Sequence, residues 1–278
     1  MLKSDETTSI MGVKVNRYLL TEHNPNNIAL PYKRTKPLIG VTIHNTNDLA
    51  NVEDDAEQYT RATVNGNMRD VRVHYYVDDV SAWQNLPLEL VNWSCADGKG
   101  AGNTQTIAIE CIMDGTTGAA NLAARDNCAR LAAWLLHVNN LTPDDLYTHT
   151  HWLNVSDGKK GTREQLCAMH NSYKMCPYYI LPDWESFEAL VGVYYDGLKG
   201  NVKPSTAAAE KLPFIVKILA DELNVRKSPG TSSAVTTVVV KGYRYTIVDT
   251  AMVGTVPWGK LKSGAGWISL LDKYVRRV

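Results

Sequence analysis

The chain has 278 residues, 44 % of them apolar and 21 % charged, which is the make-up of a globular protein with room for one large domain and one small one. It has no run of eighteen apolar residues, which excludes a membrane-spanning helix. The formal net charge of zero hides an asymmetry, because residues 1–198 carry 16 Lys+Arg against 24 Asp+Glu and residues 199–278 carry 13 against 5.

A basic tail on an acidic body points to an anionic surface as the tail's partner; no feature calls for nucleic acid. The cysteines, Cys95, Cys111, Cys128, Cys167 and Cys176, are odd in number and irregular in spacing. That is no disulfide framework and points to a reducing compartment. The opening residues MLKSDETTSIMGVKV include acidic side chains and no apolar centre, unlike a secretory signal.

In chain order, "PLIGVTIH" (37–44) is a short apolar, β-branched run and predicts a buried strand ending at His44. "VRVHYYVDD" (71–79) predicts another strand, and "DGKGAGN" (97–103) a glycine-rich loop. That loop is no phosphate cradle, because no lysine–serine pair follows it. "TIAIECI" (106–112) predicts a buried strand carrying a lone carboxylate, Glu110. "AANLAARDNCARLAAWLLHVNN" (119–140) predicts a long helix with an apolar stripe at Leu122, Cys128, Leu131, Leu135 and Val138. "LYTHTHW" (146–152) reads as a strand end, and "DWESFEALVGVYYDGL" (183–198) as a helix capped by Asp183. Alternation of buried strands and helices predicts an α/β domain over 1–198. The small polar run at 199–211 predicts a linker. "LNVRKSPG", "AVTTVVVKGYRYTIVDT" and "WGKLKSGAGWISL" predict a small all-β barrel over 212–278.

Several of these residues can carry chemistry. His44 alone is more simply a core histidine. On a strand, His149 and His151 would share a face, so both could serve one site, or one could be a ligand that the other supports. Cys176, in "NSYKMCPYYI" (171–180), would complete a three-donor set with two histidines and leave a fourth zinc position open, as in catalytic sites. Glu110 is either half of a buried ion pair, a strand-end residue exposed by an irregular pleat, or a carboxylate placed to move a proton. Lys174 is either a solvated surface lysine or the cationic partner of an oxyanion.

The run 73–115, with "YYVDD", "WQNLP", "DGKGAGN" and "TIAIE" in that order, resembles the zinc-dependent N-acetylmuramoyl-L-alanine amidases of the type-2 class. That class includes many phage endolysins and is related to peptidoglycan recognition proteins. "IHNT" (43–46), "THTHW" and "YKMCP" match further motifs, so the resemblance spans roughly 35–185. It implies a mixed-sheet α/β amidase domain with flanking helices. It implies Zn2+ held by His44, His149 and Cys176, Glu110 as the catalytic carboxylate and Lys174 as the transition-state cation. Of the two close histidines it picks His149, leaving His151 to shape the site; His74 would be structural. Two features differ from close relatives. Residues 153–173 are an insertion expected to add a loop and a short helix on one wall of the cleft. Ser94, in "NWSCADG", stands where relatives often have histidine.

The tail, 212–275, resembles a bacterial SH3 domain, which implies binding to the cell wall. The combined implication is an endolysin that cuts the amide between N-acetylmuramic acid and L-alanine of bacterial peptidoglycan. Such an enzyme would be held in the host cytoplasm until lysis. The alternatives are a peptidoglycan-binding protein that does not cut, and a zinc endopeptidase on the stem peptide. A glycosidase would need a pair of carboxylates that is not evident.

Overall fold

The computed structural model describes residues 2–47, 55–198, 212–230, 233–253, 256–271 and 273–278. The chain folds as two units, Met1–Val202 and Lys203–Val278. The linker expected at 199–211 lies outside the described residues.

The elements of the first unit are β1 (Glu6–Ile10), β2 (Val13–Arg17), β3 (Gly40–Asn47), α1 (Asp55–Val64), β4 (Tyr75–Val77), β5 (Ala82–Gln84), α2 (Ala101–Gln105), β6 (Thr106–Met113), α3 (Ala119–Val138), β7 (Leu146–Thr148), α4 (His149–Ser156), α5 (Arg163–Ala168) and α6 (Trp184–Leu198). The strands form one mixed sheet in the order β1-β2-β5-β4-β6-β3-β7. The four neighbours β4, β6, β3 and β7 run parallel. Every residue of β6 is buried, as a central parallel strand covered on both faces must be. Ile107, Ile109 and Cys111 pack in one core with Leu131 and Leu135 of α3 and Phe187 of α6. Ala108 and Ile112 point the other way, into a smaller core with Ala56 of α1 and Tyr76 of β4. Glu110, two residues from each of these, lies on that second face.

Several details depart from the sequence expectations. The strand expected over 71–79 shrinks to Tyr75–Val77. It ends because the Asp78 carboxylate accepts from the N–H groups of Val80 and Ser81 at 2.8 and 2.6 Å, turning the chain into β5. The α3 stripe is centred more narrowly than expected. Cys128, Leu131 and Leu135 are buried, while Leu122 and Val138 are 42 % and 46 % exposed, near the two ends of the helix. Asp183 lies in a 3-10 turn, Leu181–Asp183, that runs straight into α6 at Trp184. Its carboxylate lies 3.3 Å from Arg125. "LYTHTHW" is strand only through Thr148; His149 already begins α4. The β1–β2 hairpin had no counterpart among the expected elements.

The second unit is all strand among its described residues: β8 (Phe214–Ile218), β9 (Glu222–Arg226), β10 (Val235–Val240), β11 (Arg244–Val253), β12 (Val256–Leu261), β13 (Trp267–Ser269) and β14 (Val275–Arg277). They form an antiparallel sheet in the order β10-β9-β13-β12-β11-β8-β14. Its core includes Val216, Ile218, Val225, Ile247 and Ile268. No helix of the described residues is long and apolar enough to cross a membrane.

One glycine fixes how α2 meets α4 beneath the site. A Cβ on Gly102 would lie 2.6 Å from Trp152 Cγ and 2.8 Å from Cys95 Cβ. Trp152 is held in place, because its Nε1 donates to Thr42 Oγ1 at 2.8 Å. We expect Gly102→Ala to cost about 1–3 kcal/mol by overpacking. The measurement is urea unfolding, with the midpoint lowered and the slope unchanged. An unchanged midpoint would show that α2 is free to slide.

Candidate active site

The register of the parallel strands builds the site. His44 of β3 lies directly across from Glu110 of β6, and Glu110 directly across from Tyr76 of β4. Directly opposed residues share a face, so these three form a row. Thr42 and His44 face one way because Val41 and Ile43 are committed to the main core. Ile43 pairs with Thr148 of β7, so the next residue, His149, arrives beside His44. This row sits at the carboxyl ends of parallel strands, where open α/β sheets place their ligands.

His149 begins α4. Thr148 caps that helix, its hydroxyl accepting from the His151 N–H at 3.0 Å. In a helix, residues two apart point nearly to opposite sides, so the shared strand face expected for His149 and His151 is corrected. His149 Nδ1 lies 3.2 Å from His44 Nδ1. His151 instead packs among Tyr147, Trp152 and Cys167.

Cys176 closes the group. Its Sγ accepts from the Asn45 N–H at 3.4 Å. Its backbone is held by one side chain: Thr150 Oγ1 donates to the Cys176 carbonyl at 3.0 Å and accepts from its N–H at 2.7 Å. The Thr150 N–H adds a third bond, 2.9 Å, to the same carbonyl. The donor atoms of His44, His149 and Cys176 all lie within 4.8 Å of one another, and all three residues are buried. Residues 153–173, which separate the second histidine from the cysteine, hold the end of α4 and all of α5.

The electrostatics match a cation site. Burial first, then the charges of His149 and Lys174, hold the His44 imidazole well below its usual range. Burial and Lys174 lower His149 to about 3. Both rings are therefore neutral and can offer lone pairs. Burial and the negative charge of Glu110 push the Cys176 thiol up to about 12, so without a cation it keeps its proton.

The His44 tautomer follows from its neighbours. Asn92 Nδ2 donates to the carbonyls of Gly102, Asn103 and Thr106, which turns Asn92 Oδ1 toward Ser94. Ser94 Oγ donates to that oxygen at 2.7 Å. The Ser94 oxygen is left to accept from His44 Nε2, 3.2 Å away. The proton then sits on Nε2, and the Nδ1 lone pair faces His149 and Cys176. Meanwhile His149 Nε2 is buried and makes no well-aligned hydrogen bond among the described residues. Two imidazoles and one thiol, converging in a buried pocket with a lone pair aimed inward, fit a soft divalent metal such as zinc.

Glu110 is 9 % exposed. Thr46 Oγ1 donates to its Oε2 at 2.7 Å, leaving Oε1 free to face His44 Nδ1 at 4.0 Å. Burial raises the Glu110 pKa, opposed by the Thr46 bond and by Lys174. Lys174 itself is exposed, and its charge reaches His44, His149, Glu110 and Cys176. His74 is held within the fold. Its Nδ1 accepts from the Ala108 N–H at 3.0 Å, and its Nε2 lies 3.1 Å from the Leu90 carbonyl.

Sequence reasoning missed Thr46, Thr150 and Asn92. Thr46 carried a signal, standing two residues beyond His44 on the same strand face. Thr150 and Asn92 carried none, because their partners are distant in sequence.

A family model described as N-acetylmuramoyl-L-alanine amidase matches residues 34–177, just over half of the chain. The N-acetylmuramoyl-L-alanine amidase XlyA of Bacillus subtilis (strain 168) is 30 % identical over 152 residues, 55 % of this chain and 43 % of that protein. CwlH, an amidase of the same organism, is 29 % identical over 148 residues, 53 % of this chain and 50 % of that protein. The chain thus matches about half the length of these curated relatives. Among solved structures, Staphylococcus aureus hydrolase AmiA in complex with its ligand superposes with a TM-score of 0.50. It is 19 % identical, covering 73 % of this chain and 89 % of that one, a likeness of fold.

The five residues that the sequence put forward, His44, Glu110, His149, Lys174 and Cys176, fall inside the matched range. Within it, Thr150→Val keeps the shape but removes the hydroxyl. The buried Cys176 N–H is then left unpaired, a cost of about 1–3 kcal/mol. Chemical denaturation of the variant should show that loss. Parent-like stability would mean that the Cys176 backbone does not depend on Thr150.

Proposed function

The chain belongs to the N-acetylmuramoyl-L-alanine amidase family, and from that membership we propose that it hydrolyses the amide between N-acetylmuramic acid and L-alanine in bacterial peptidoglycan. The observation that carries this reading is the placement of Glu110 beside a buried His44–His149–Cys176 group on the carboxyl ends of parallel strands. In this reading His44, His149 and Cys176 would hold a zinc ion. When bound, zinc there would act as a Lewis acid toward the scissile carbonyl and the attacking water.

The chain's own groups supply the rest. Glu110 Oε1 takes the proton of the attacking water, since Oε2 is engaged by Thr46. Burial raises its affinity for that proton, which suits a base that must also return the proton to the leaving amine nitrogen. The Lys174 ammonium places positive charge where the carbonyl oxygen becomes negative. Ser94 and Asn92 keep the His44 ring turned so that Nδ1 faces inward. Partners of this kind are typically worth 10–100-fold in metal affinity.

The second unit is proposed to be an SH3-like wall-binding domain. Its support is its size, its all-antiparallel sheet and its excess of basic residues. Holding the enzyme on an extended polymer raises the local concentration of cleavable bonds. The proposal extends to an endolysin role, with access to the wall at lysis.

The test is a digest of purified peptidoglycan by the zinc-loaded protein, with new ends read by mass spectrometry. The expected products are free L-alanine amino termini on intact glycan, abolished by chelation. Ends within the stem peptide would make it an endopeptidase; no new ends would make it a binder. Cys176→Ser should lose zinc and activity together. Glu110→Ala should keep zinc and fold but lose on the order of 100-fold or more in turnover. Cutting at the parent rate would overturn the assignment of the base. Ser94→Ala should weaken zinc binding about tenfold or more in competition with a chromogenic chelator. Equal affinity would remove Ser94 from the ligand's support.

A further inference from the structure

The antiparallel register of the second unit places three cations side by side. Lys217 of β8 is directly opposite Arg244 of β11 on one side and Arg276 of β14 on the other. Opposed residues on adjacent antiparallel strands project from the same face, with strands about 4.8 Å apart. That face is the outer one, because Val216 and Ile218, which flank Lys217, are buried in the core. Arg244 and Arg276 are exposed and Lys217 is half-buried. The row therefore spans about 10 Å across three strands.

Like charges set directly opposite one another destabilise a sheet, and no acidic side chain among the described residues relieves them. Among the described residues, Lys217, Arg244 and Arg276 enter no ion pair, whereas Lys241 of the same unit is paired with Asp221 at 2.9 Å. The row is built at a cost to the fold and left open to solvent. A ligand that carries several regularly spaced negative charges would relieve it.

We propose that the row Lys217–Arg244–Arg276 is a docking surface for a linear phosphodiester polymer of the bacterial wall, distinct from the peptidoglycan itself. Two features select this occupant over carboxylate-bearing stem peptides. Guanidinium groups stand at both ends of the row, and their planar forks grip phosphate oxygens two at a time. A line of three cations also matches a chain with one charge in every short repeat, whereas stem-peptide carboxylates are isolated. The inference rests on the reading of the second unit as wall-binding, and is independent of which bond the first unit cuts.

The test uses the full chain in a Glu110→Ala background, so that the wall is not digested. Retention on purified walls carrying polyol-phosphate polymer is compared with retention on the same walls stripped by cold hydrofluoric acid. Stripping should lower retention about tenfold at low salt, and soluble poly(glycerol phosphate) should compete. Added salt should weaken binding steeply, as for other polyanions. The variant K217E/R244E/R276E should match the loss seen on stripping. The neutral variant K217Q/R244Q/R276Q separates binding from folding: it should melt at or above the parent temperature, since the repulsion is gone, and still lose retention. Equal retention on stripped walls would point to a peptide or glycan ligand and overturn the proposal, as would parent-like retention of the neutral variant. Mass spectrometry of fragments released by the K217Q/R244Q/R276Q variant with Glu110 intact tests the amidase reading separately.

Discussion

The site depends on one pairing, the parallel register of β3 with β6. It sets His44 across from Glu110 and, through the Ile43–Thr148 pair, brings His149 alongside. A slip of one residue would turn His44 into the core and Ile43 into the site. The register is secured on both faces. On one, Val41, Ile43, Ile107 and Ile109 are fully buried against α3 and α6. On the other, Thr42 Oγ1 donates to Thr106 Oγ1 at 2.8 Å and Thr46 Oγ1 to Glu110 at 2.7 Å. The threonines at both ends of β3 thus tie the strand to β6, and the His44–Glu110 pair sits between them.

Buried polar groups are costly unless satisfied, and this site gathers several. The fold answers with a connected set of hydrogen bonds in which each partner leaves one outcome for the next. Asn92 has committed its amide to three carbonyls, so its oxygen must accept. Ser94 must then donate to it, and His44 must donate to Ser94. The inward lone pair of His44 is the last consequence of a chain that starts at backbone carbonyls of α2 and β6. That is why the ring orientation is set by the fold before any cation arrives.

Much of this was legible in the sequence and some was not. The central strands and α3 were readable, because strands buried on both faces show as short apolar β-branched runs. The β-rich tail was readable from its turn residues. The β1–β2 hairpin was not, because β1 is almost wholly exposed and shows no apolar alternation. "LYTHTHW" has the composition of a strand, and only the Thr148 side chain, by capturing the His151 N–H, shows where the helix begins. His44, Glu110, His149 and Cys176 stood out by residue type and place in the pattern, with other readings open, and motif resemblance joined them into one site. Their proximity is a matter of register and of long-range hydrogen bonds, neither of which is written locally. The cationic row of the second unit was visible only as a charge imbalance until strand pairing set Lys217 between two arginines.

The stretch between His149 and Cys176 is long, and its two ends nevertheless meet. The entropy of closing a loop grows slowly, by about 0.6 kcal/mol for each doubling of its length. What must be kept is the meeting of its ends, and Thr150 supplies that by binding the Cys176 backbone through both its hydroxyl and its N–H. The intervening residues are themselves anchored. Asn154 donates to the carbonyls of Leu166 and Met169, and Asn171 donates to the Asn154 side chain. With the ends clamped and the interior hydrogen-bonded, α5 packs against β7 and α4, its Cys167 carbonyl accepting from Thr148 Oγ1 at 3.0 Å.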